Sequence, residues 1–193
     1  MRIRLLLLAL FLAGSACSGP PKAVRTAIPA TPQAEKPVPE SEPVVQKVNF
    51  QRPETWLMGP FTQDMMTRPP HDQWYTPEYN SYKPVQELVH RIQEANTGGI
   101  SVLIVLGTWC PDSHREVPRF IKLLDECGMA RIGVKFLGVD MNKYAPVGDY
   151  EKLEIKRVPT FIVYRNNIEI GRIIEYPVTS LEGDFTEILH RKN

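Results

Sequence analysis

The spacing of hydrophobic positions changes several times along the chain, and each spacing predicts an element. Residues 5–13, LLLLALFLA, are an unbroken apolar run. Residues 18–47 hold no aromatic residue and no amphipathic period, and prolines stand at 20, 21, 29, 32, 37, 39 and 43. Such a stretch buries too little apolar surface to offset the entropy of ordering. Its prolines favour extended, semi-stiff chain. Residues 48–83 are rich in aromatics (Phe50, Trp56, Phe61, Trp74, Tyr75, Tyr79, Tyr82) and in proline. They predict an irregular lead-in whose rings pack on the domain, with a partner groove as the alternative.

Residues 84–97 predict a helix. Pro84 suits a first helical position, Val85, Leu88, Val89 and Ile92 repeat on one face, and Gly98 and Gly99 end it. Ile100–Leu106 is a run of β-branched and Leu residues, the pattern of a strand buried on both faces. Residues 107–113, GTWCPDS, follow, then a second helix to about Cys127, with Val117, Phe120, Ile121, Leu124 and Cys127 on one face. A strand is expected over 134–140 and a short helix over 147–156. Residues 158–160, VPT, lead into a strand over 161–164. Asn166 and Asn167 make a turn, since Asn tolerates left-handed backbone, and 168–175 return as a strand. Residues 179–182, TSLE, read as a capping box for a last helix carrying Leu181, Phe185, Ile188 and Leu189. The order α-β-α-β-α-β-β-α predicts an α/β fold with a central mixed sheet flanked by helices. A further strand between 43 and 50 can precede it.

The chain has 193 residues, which suits one domain plus appendages, and its 42% hydrophobic content suffices for a soluble core. Lys and Arg total 23 against 22 Asp and Glu, a formal net charge of +1, so nucleic acid is not an expected partner. Cys17, Cys110 and Cys127 are the only cysteines, too few for a disulfide scaffold. Cys110 and His114 do not make a ligand set, and His71, His90 and His190 show no ligand spacing, so no metal and no cofactor are expected. Asp112, Asp140 and Glu116 read as solvated groups.

The basic start MRIR, the apolar run, the small residues Gly14, Ser15 and Ala16, and then Cys17 have the layout of a secretory signal. The run is shorter than the roughly 20 residues that span a bilayer. Cys17 directly after the small residues resembles the lipobox of bacterial lipoproteins, although Gly14 stands where that family prefers Leu. The resemblance implies cleavage before Cys17, lipid on that residue, and a periplasm-facing domain tethered to a membrane of the cell envelope. Cleavage after Ala16 without lipid is the alternative. The expected organisation is a signal peptide over 1–16, a lipidated Cys17 and tether over 17–47, the lead-in over 48–83, and the domain over 84–193.

Trp109-Cys110-Pro111-Asp112-Ser113 sits where a strand gives way to a helix. Pro118 lies five residues further on, and Val158-Pro159-Thr160 precedes the hairpin. Together, in register with the predicted elements, these resemble the thioredoxin superfamily over about residues 84–191. The resemblance implies a thioredoxin-like three-layer fold. It implies that Cys110 is the nucleophile of a WCxxC-type motif. It also implies that Val158 and Pro159 form a cis-proline loop facing Cys110, where extended partner backbone binds beside Trp109 and Pro111. Two departures stand out. Ser113 replaces the second motif cysteine, and Ile104 replaces the buried acid six residues before the nucleophile. The losses agree, because without a second thiol there is nothing for the acid to deprotonate.

A cysteine at the first turn of a helix meets unpaired N–H groups and the positive end of the dipole. Its pKa is therefore expected to fall below the ordinary ~8.5. Ser113 is expected to donate its hydroxyl to the sulfur, and His114 and Arg115 to add positive charge. A serine does not resolve disulfides, so Cys110 is expected to act alone. It would exchange through a mixed disulfide that waits for an external thiol. Cys127 lies on the apolar face, roughly 25 Å along the helix at ~1.5 Å per residue, beyond the ~7 Å that a disulfide allows. The alternative is a non-enzymatic module that holds an extended peptide beside Pro159. Under either reading the expected partners are cysteine-containing or extended protein segments. The domain is expected to be a monomer.

Overall fold

The computed structural model describes residues 47–129 and 132–191. The predicted signal segment, Cys17, and the tether through residue 46 lie outside the described residues. The chain divides into two units, Met1–Val44 and Val45–Asn193, and the described residues belong to the second. No helix among them is long and apolar enough to cross a membrane.

Five strands, β1 (Gly59–Phe61), β2 (Ile100–Leu106), β3 (Gly133–Gly138), β4 (Thr160–Arg165) and β5 (Ile168–Ile174), form one sheet in the order β1-β3-β2-β4-β5. β2 and β3 are parallel; β1 with β3, β2 with β4 and β4 with β5 are antiparallel. Four helices accompany them: α1 (Asp72–Ser81), α2 (Gln86–Glu94), α3 (Pro111–Glu126) and α4 (Leu181–His190).

The central strand explains the layers. Side chains alternate along a strand, so Ile100, Val102, Ile104 and Leu106 of β2 enter one core, and Leu103 and Val105 face another. In the first core they meet Trp74 and Tyr75 of α1, Val89 and Ile92 of α2, Phe120 and Leu124 of α3, and Phe185 and Leu189 of α4. In the second they meet Val139, Ala145, Tyr150 and Val158, from the segment that joins β3 to β4. β4 divides likewise, with Phe161 and Val163 on one side and Ile162 on the other. The result is an α/β mixed sheet of the thioredoxin-like type.

Several details depart from the sequence reading. The lead-in is partly regular, since it holds β1 and α1. The region expected to give a strand over 43–50 has no strand in its described residues, 47–50. The edge strand is β1 instead, where Pro60 is tolerated because an edge needs fewer donors. β1 crosses close to β3: a Cβ on Gly138 would lie 1.8 Å from the Leu57 carbonyl oxygen, so only glycine fits there. α2 starts at Gln86 after Val85, leaving Pro84 outside the helix, and ends at Glu94, before the two glycines. The short helix expected over 147–156 is a single 3-10 turn, Tyr150–Leu153.

The capping box is shifted by one residue. Ser180, not Thr179, caps α4, accepting the Gly183 N–H at 3.0 Å. Glu182 does not reach back to the cap. It turns inward, where one carboxylate oxygen accepts Tyr82 Oη–H at 2.8 Å and the Val85 N–H at 3.1 Å. That contact ties the start of α4 to the start of α2.

Candidate functional site

β2 ends at Leu106, and residues 107–110 turn the chain into α3. The Cys110 N–H donates to the Gly107 carbonyl at 2.9 Å, and the His114 N–H opens the helix by donating to the Cys110 carbonyl at 3.0 Å. Cys110 is the N-cap residue with extended backbone, and Pro111 occupies the first helical position. Proline costs nothing there, since that N–H has no helical partner anyway. A Ser, Thr or Asp cap would accept a bond from the first turn. The Cys110 side chain makes no such bond. Its Sγ donates instead to the Val158 carbonyl at 3.4 Å.

That carbonyl belongs to the Val158–Pro159 peptide, which is cis. The Pro159 carbonyl in turn accepts the Glu175 N–H at 2.6 Å, and Thr160 Oγ1 donates to the Arg157 carbonyl at 2.7 Å. These bonds fix the loop against the end of β5. Cys110 and the Val158 carbonyl, 48 residues apart in sequence, thus meet at one end of the sheet, with Pro159 next in the chain. Pro111 is exposed beside them. Cys110 itself is only 7% exposed, so the sulfur sits at the margin of the smaller core rather than standing free.

The other expected neighbours behave differently. Ser113 is fully buried, and its Oγ accepts the Gly107 N–H at 3.3 Å, a bond that latches the turn. His114 points away, with Nε2 on the Thr108 carbonyl at 2.8 Å and its ring stacked on Trp74 at 4.5 Å. Burial lowers its pKa, so it is uncharged near neutral pH and adds no positive charge. Arg115 is engaged by Asp112 at 2.8 Å and Glu116 at 2.6 Å, so its charge is spent locally. Glu116 is buried under that pair and is not a solvated group.

Trp109 is half-buried. Its Nε1 donates to the Val139 carbonyl at 2.9 Å, and its ring faces Trp56 at 6.3 Å. Gly107 makes room for it, since a Cβ there would lie 2.5 Å from the indole. Cys127, at the far end of α3, is buried, and burial pushes its thiol up to about 11, with Glu182 and Glu126 adding to the effect. Among the described residues no His, Cys, Asp and Glu cluster is arranged to hold a metal. A cavity of about 520 Å³ opens beside β1 and the end of α3, lined by Phe61, Ile121, Met129 and Phe136, and Cys110 does not line it.

The sequence reading missed the lead-in's hold on this turn. Gln51 Nε2 donates to the Trp109 carbonyl at 3.1 Å, and the Leu57 N–H donates to Thr108 Oγ1 at 3.1 Å. Both span more than fifty residues, and no local pattern announces them.

A family model described as "Thioredoxin" matches residues 62–183. No curated protein gives a significant match. Among solved structures, one is similar at 17% identity and a TM-score of 0.42: a protein of unknown function from Pseudomonas aeruginosa. There 58% of this chain aligns with 65% of that one, so the chain spans just under two thirds of its length. Mitochondrial thioredoxin 3 from Saccharomyces cerevisiae is 22% identical, with 56% and 97% covered and a TM-score of 0.34. An HIV epitope-scaffold protein is 14% identical, with 71% and 95% covered and a TM-score of 0.54, a likeness of fold.

Proposed function

Because the chain belongs to the thioredoxin family, we propose that it is a cell-envelope member working through one sulfur, Cys110, by thiol–disulfide exchange or mixed-disulfide capture. The observation that carries this reading is the Cys110 thiol at the N-terminus of α3, bonded to the carbonyl directly before Pro159. At this helix start the first backbone N–H groups lack helical partners. In the step itself the Cys110 thiolate attacks one sulfur of a partner disulfide. A mixed disulfide forms and the other sulfur leaves as a thiolate. No described cysteine stands close enough to resolve it: Cys127 lies beyond the other end of a 16-residue helix, roughly 25 Å away. An external thiol therefore completes the cycle. The protein suits exchange, isomerisation or capture of cysteine-containing partner segments rather than dithiol reduction. The envelope address rests on the sequence of residues 1–17, with Cys17 as the lipidated residue and the membrane as the partner of that lipid.

Trapping tests the reading. Wild-type protein is expected to yield reductant-sensitive covalent partners that vanish in Cys110→Ala. Partners that persist non-covalently in that variant would instead establish a peptide-holding module, a reading favoured by the low exposure of the sulfur. Ser113→Cys is expected to gain dithiol reductase activity. Intact mass of membrane-extracted protein reports lipid on Cys17.

A further inference from the structure

Residues 49–57 lie across the turn that carries Cys110. We propose that they form a strap over this turn, held shut by uncharged His71 and His114 and released when those rings gain protons. The proposal rests on the reading of Cys110 as the working group and concerns access to it.

The strap is attached at separate points. Just before it, the Val48 N–H donates to Gln73 Oε1 at 3.4 Å. Gln51 holds the Trp109 carbonyl, the peptide that enters Cys110, and Leu57 holds Thr108. The Trp56 ring lies against Trp109. Within the strap, Trp56 Nε1 donates to the Phe50 carbonyl at 2.8 Å, which ties Phe50 to Trp56.

Phe50 is the plug. Its ring meets His71 at 5.4 Å and, edge-on, His114 at 5.2 Å. Trp74 closes the cluster, stacked on His114 and edge-on to His71 at 6.0 Å. Four rings from the strap, the N-cap of α1, α1 itself and α3 make one packed group. His71 is 4% exposed, and its Nδ1 has no partner. The charged or titratable groups that bear on it are His114 from α3, which opposes a second positive charge, and the Asp72 carboxylate next to it, which favours one. Phe50 and Trp74 carry no charge. His114 already spends Nε2 on the Thr108 carbonyl.

The direction follows from linkage. In the closed form burial lowers His71 to about 4, whereas a released imidazole titrates near 6.5. Between those values the open form binds more protons. Its share therefore rises as pH falls from 6.5 and levels off below about 4. Each pH unit between the two values allows up to tenfold, so the open-to-closed ratio changes by at most a few hundredfold. His114, also lowered by burial, acts in the same sense. Near neutral pH the strap is shut and Trp109 is pinned; in acid it lifts and frees Trp109, which packs against the small cluster that buries Cys110.

The test uses the full chain and two readouts. Amide hydrogen exchange, corrected for the intrinsic pH dependence, follows residues 49–57 and β2 together. Labelling of Cys110 by dithiodipyridine, which reacts in acid, is read by peptide mass and normalised to an unstructured cysteine peptide at the same pH. From pH 6.5 to about 4, the strap is expected to lose protection while β2 keeps it, and normalised labelling to rise tenfold or more. His71→Phe keeps a ring without the titrating group and is expected to shrink that rise. Gln51→Ala is expected to raise labelling already at neutral pH. The proposal is overturned by flat labelling, by an equal rise in His71→Phe, or by β2 losing protection together with the strap. Labelling by dithiodipyridine is itself a disulfide exchange, so flat but measurable labelling overturns the strap alone, and a Cys110 that never reacts in the folded protein overturns the exchange reading as well.

Discussion

Helix α3 carries a cysteine at each end, and burial hardly separates them: Cys110 is 7% exposed and Cys127 is 6%. Their surroundings do. Cys110 caps the N-terminus, where backbone N–H groups lack helical partners, and its thiol reaches the carbonyl before Pro159. Cys127 is the C-cap residue, where the dipole is negative. Its N–H is used by the Leu123 carbonyl, and Glu182 and Glu126 add repulsion to burial. One helix thus holds one sulfur against the Val158 carbonyl at its start and the other among carboxylates at its end. A free thiol in this fold is judged by the helix end and the loop that face it, not by its accessible area.

The comparison breaks most sharply at the level of covalent capture. Cys110→Ala is expected to abolish reductant-sensitive adducts with partners, and Cys127→Ala to leave them at the wild-type level. Non-reducing electrophoresis of the two variants after oxidation checks this. Adducts that survive in Cys110→Ala and vanish in Cys127→Ala would reverse the assignment.

A smaller but still large effect concerns the inert end. A thiol pushed from the ordinary 9 to about 11 holds about a hundredth of the usual thiolate at neutral pH. Cys127 in the folded protein is therefore expected to alkylate about a hundredfold more slowly than Cys127 in denatured protein. The rate should climb only as pH approaches about 11. Peptide-level mass spectrometry of iodoacetamide labelling, native against denatured, measures the ratio. A ratio near one would show that the apolar surroundings of Cys127 do not protect it.

How far the sequence announced these two ends depended on the range of the interactions. β2, α3 and the β4–β5 hairpin were legible because their apolar spacing is local, and the Asn166–Asn167 turn because both residues take positive φ. α1 was not legible. It has no aliphatic repeat and contains Pro77, and packing on α3 holds it in place through Glu78 with Arg119 at 2.8 Å and Tyr79 with Asp125 at 2.6 Å. The meeting of Cys110 with the Val158–Pro159 loop was expected from the motif resemblance, since no local period connects residues so far apart. The contacts of Ser113 and His114 were not legible for one reason: both were assigned to the nearest sulfur in sequence. A buried hydroxyl or imidazole goes to whichever backbone group the turn leaves unpaired. Here these were the Gly107 N–H and the Thr108 carbonyl.

The smallest effect probes that reassignment at the N-terminal end of α3. If Ser113 latches the turn, Ser113→Ala leaves the Gly107 N–H buried without an acceptor, which costs about 1–3 kcal/mol. Urea unfolding is expected to show a lower midpoint by that amount with an unchanged slope. Capture by Cys110 is expected to persist, because the sulfur's own contact is with Val158 and not with the hydroxyl. If Ser113 served the thiol instead, stability would be nearly unchanged and capture would slow. The two readouts move in opposite senses under the two roles, so one variant decides between a serine that holds the loop and a serine that assists the chemistry.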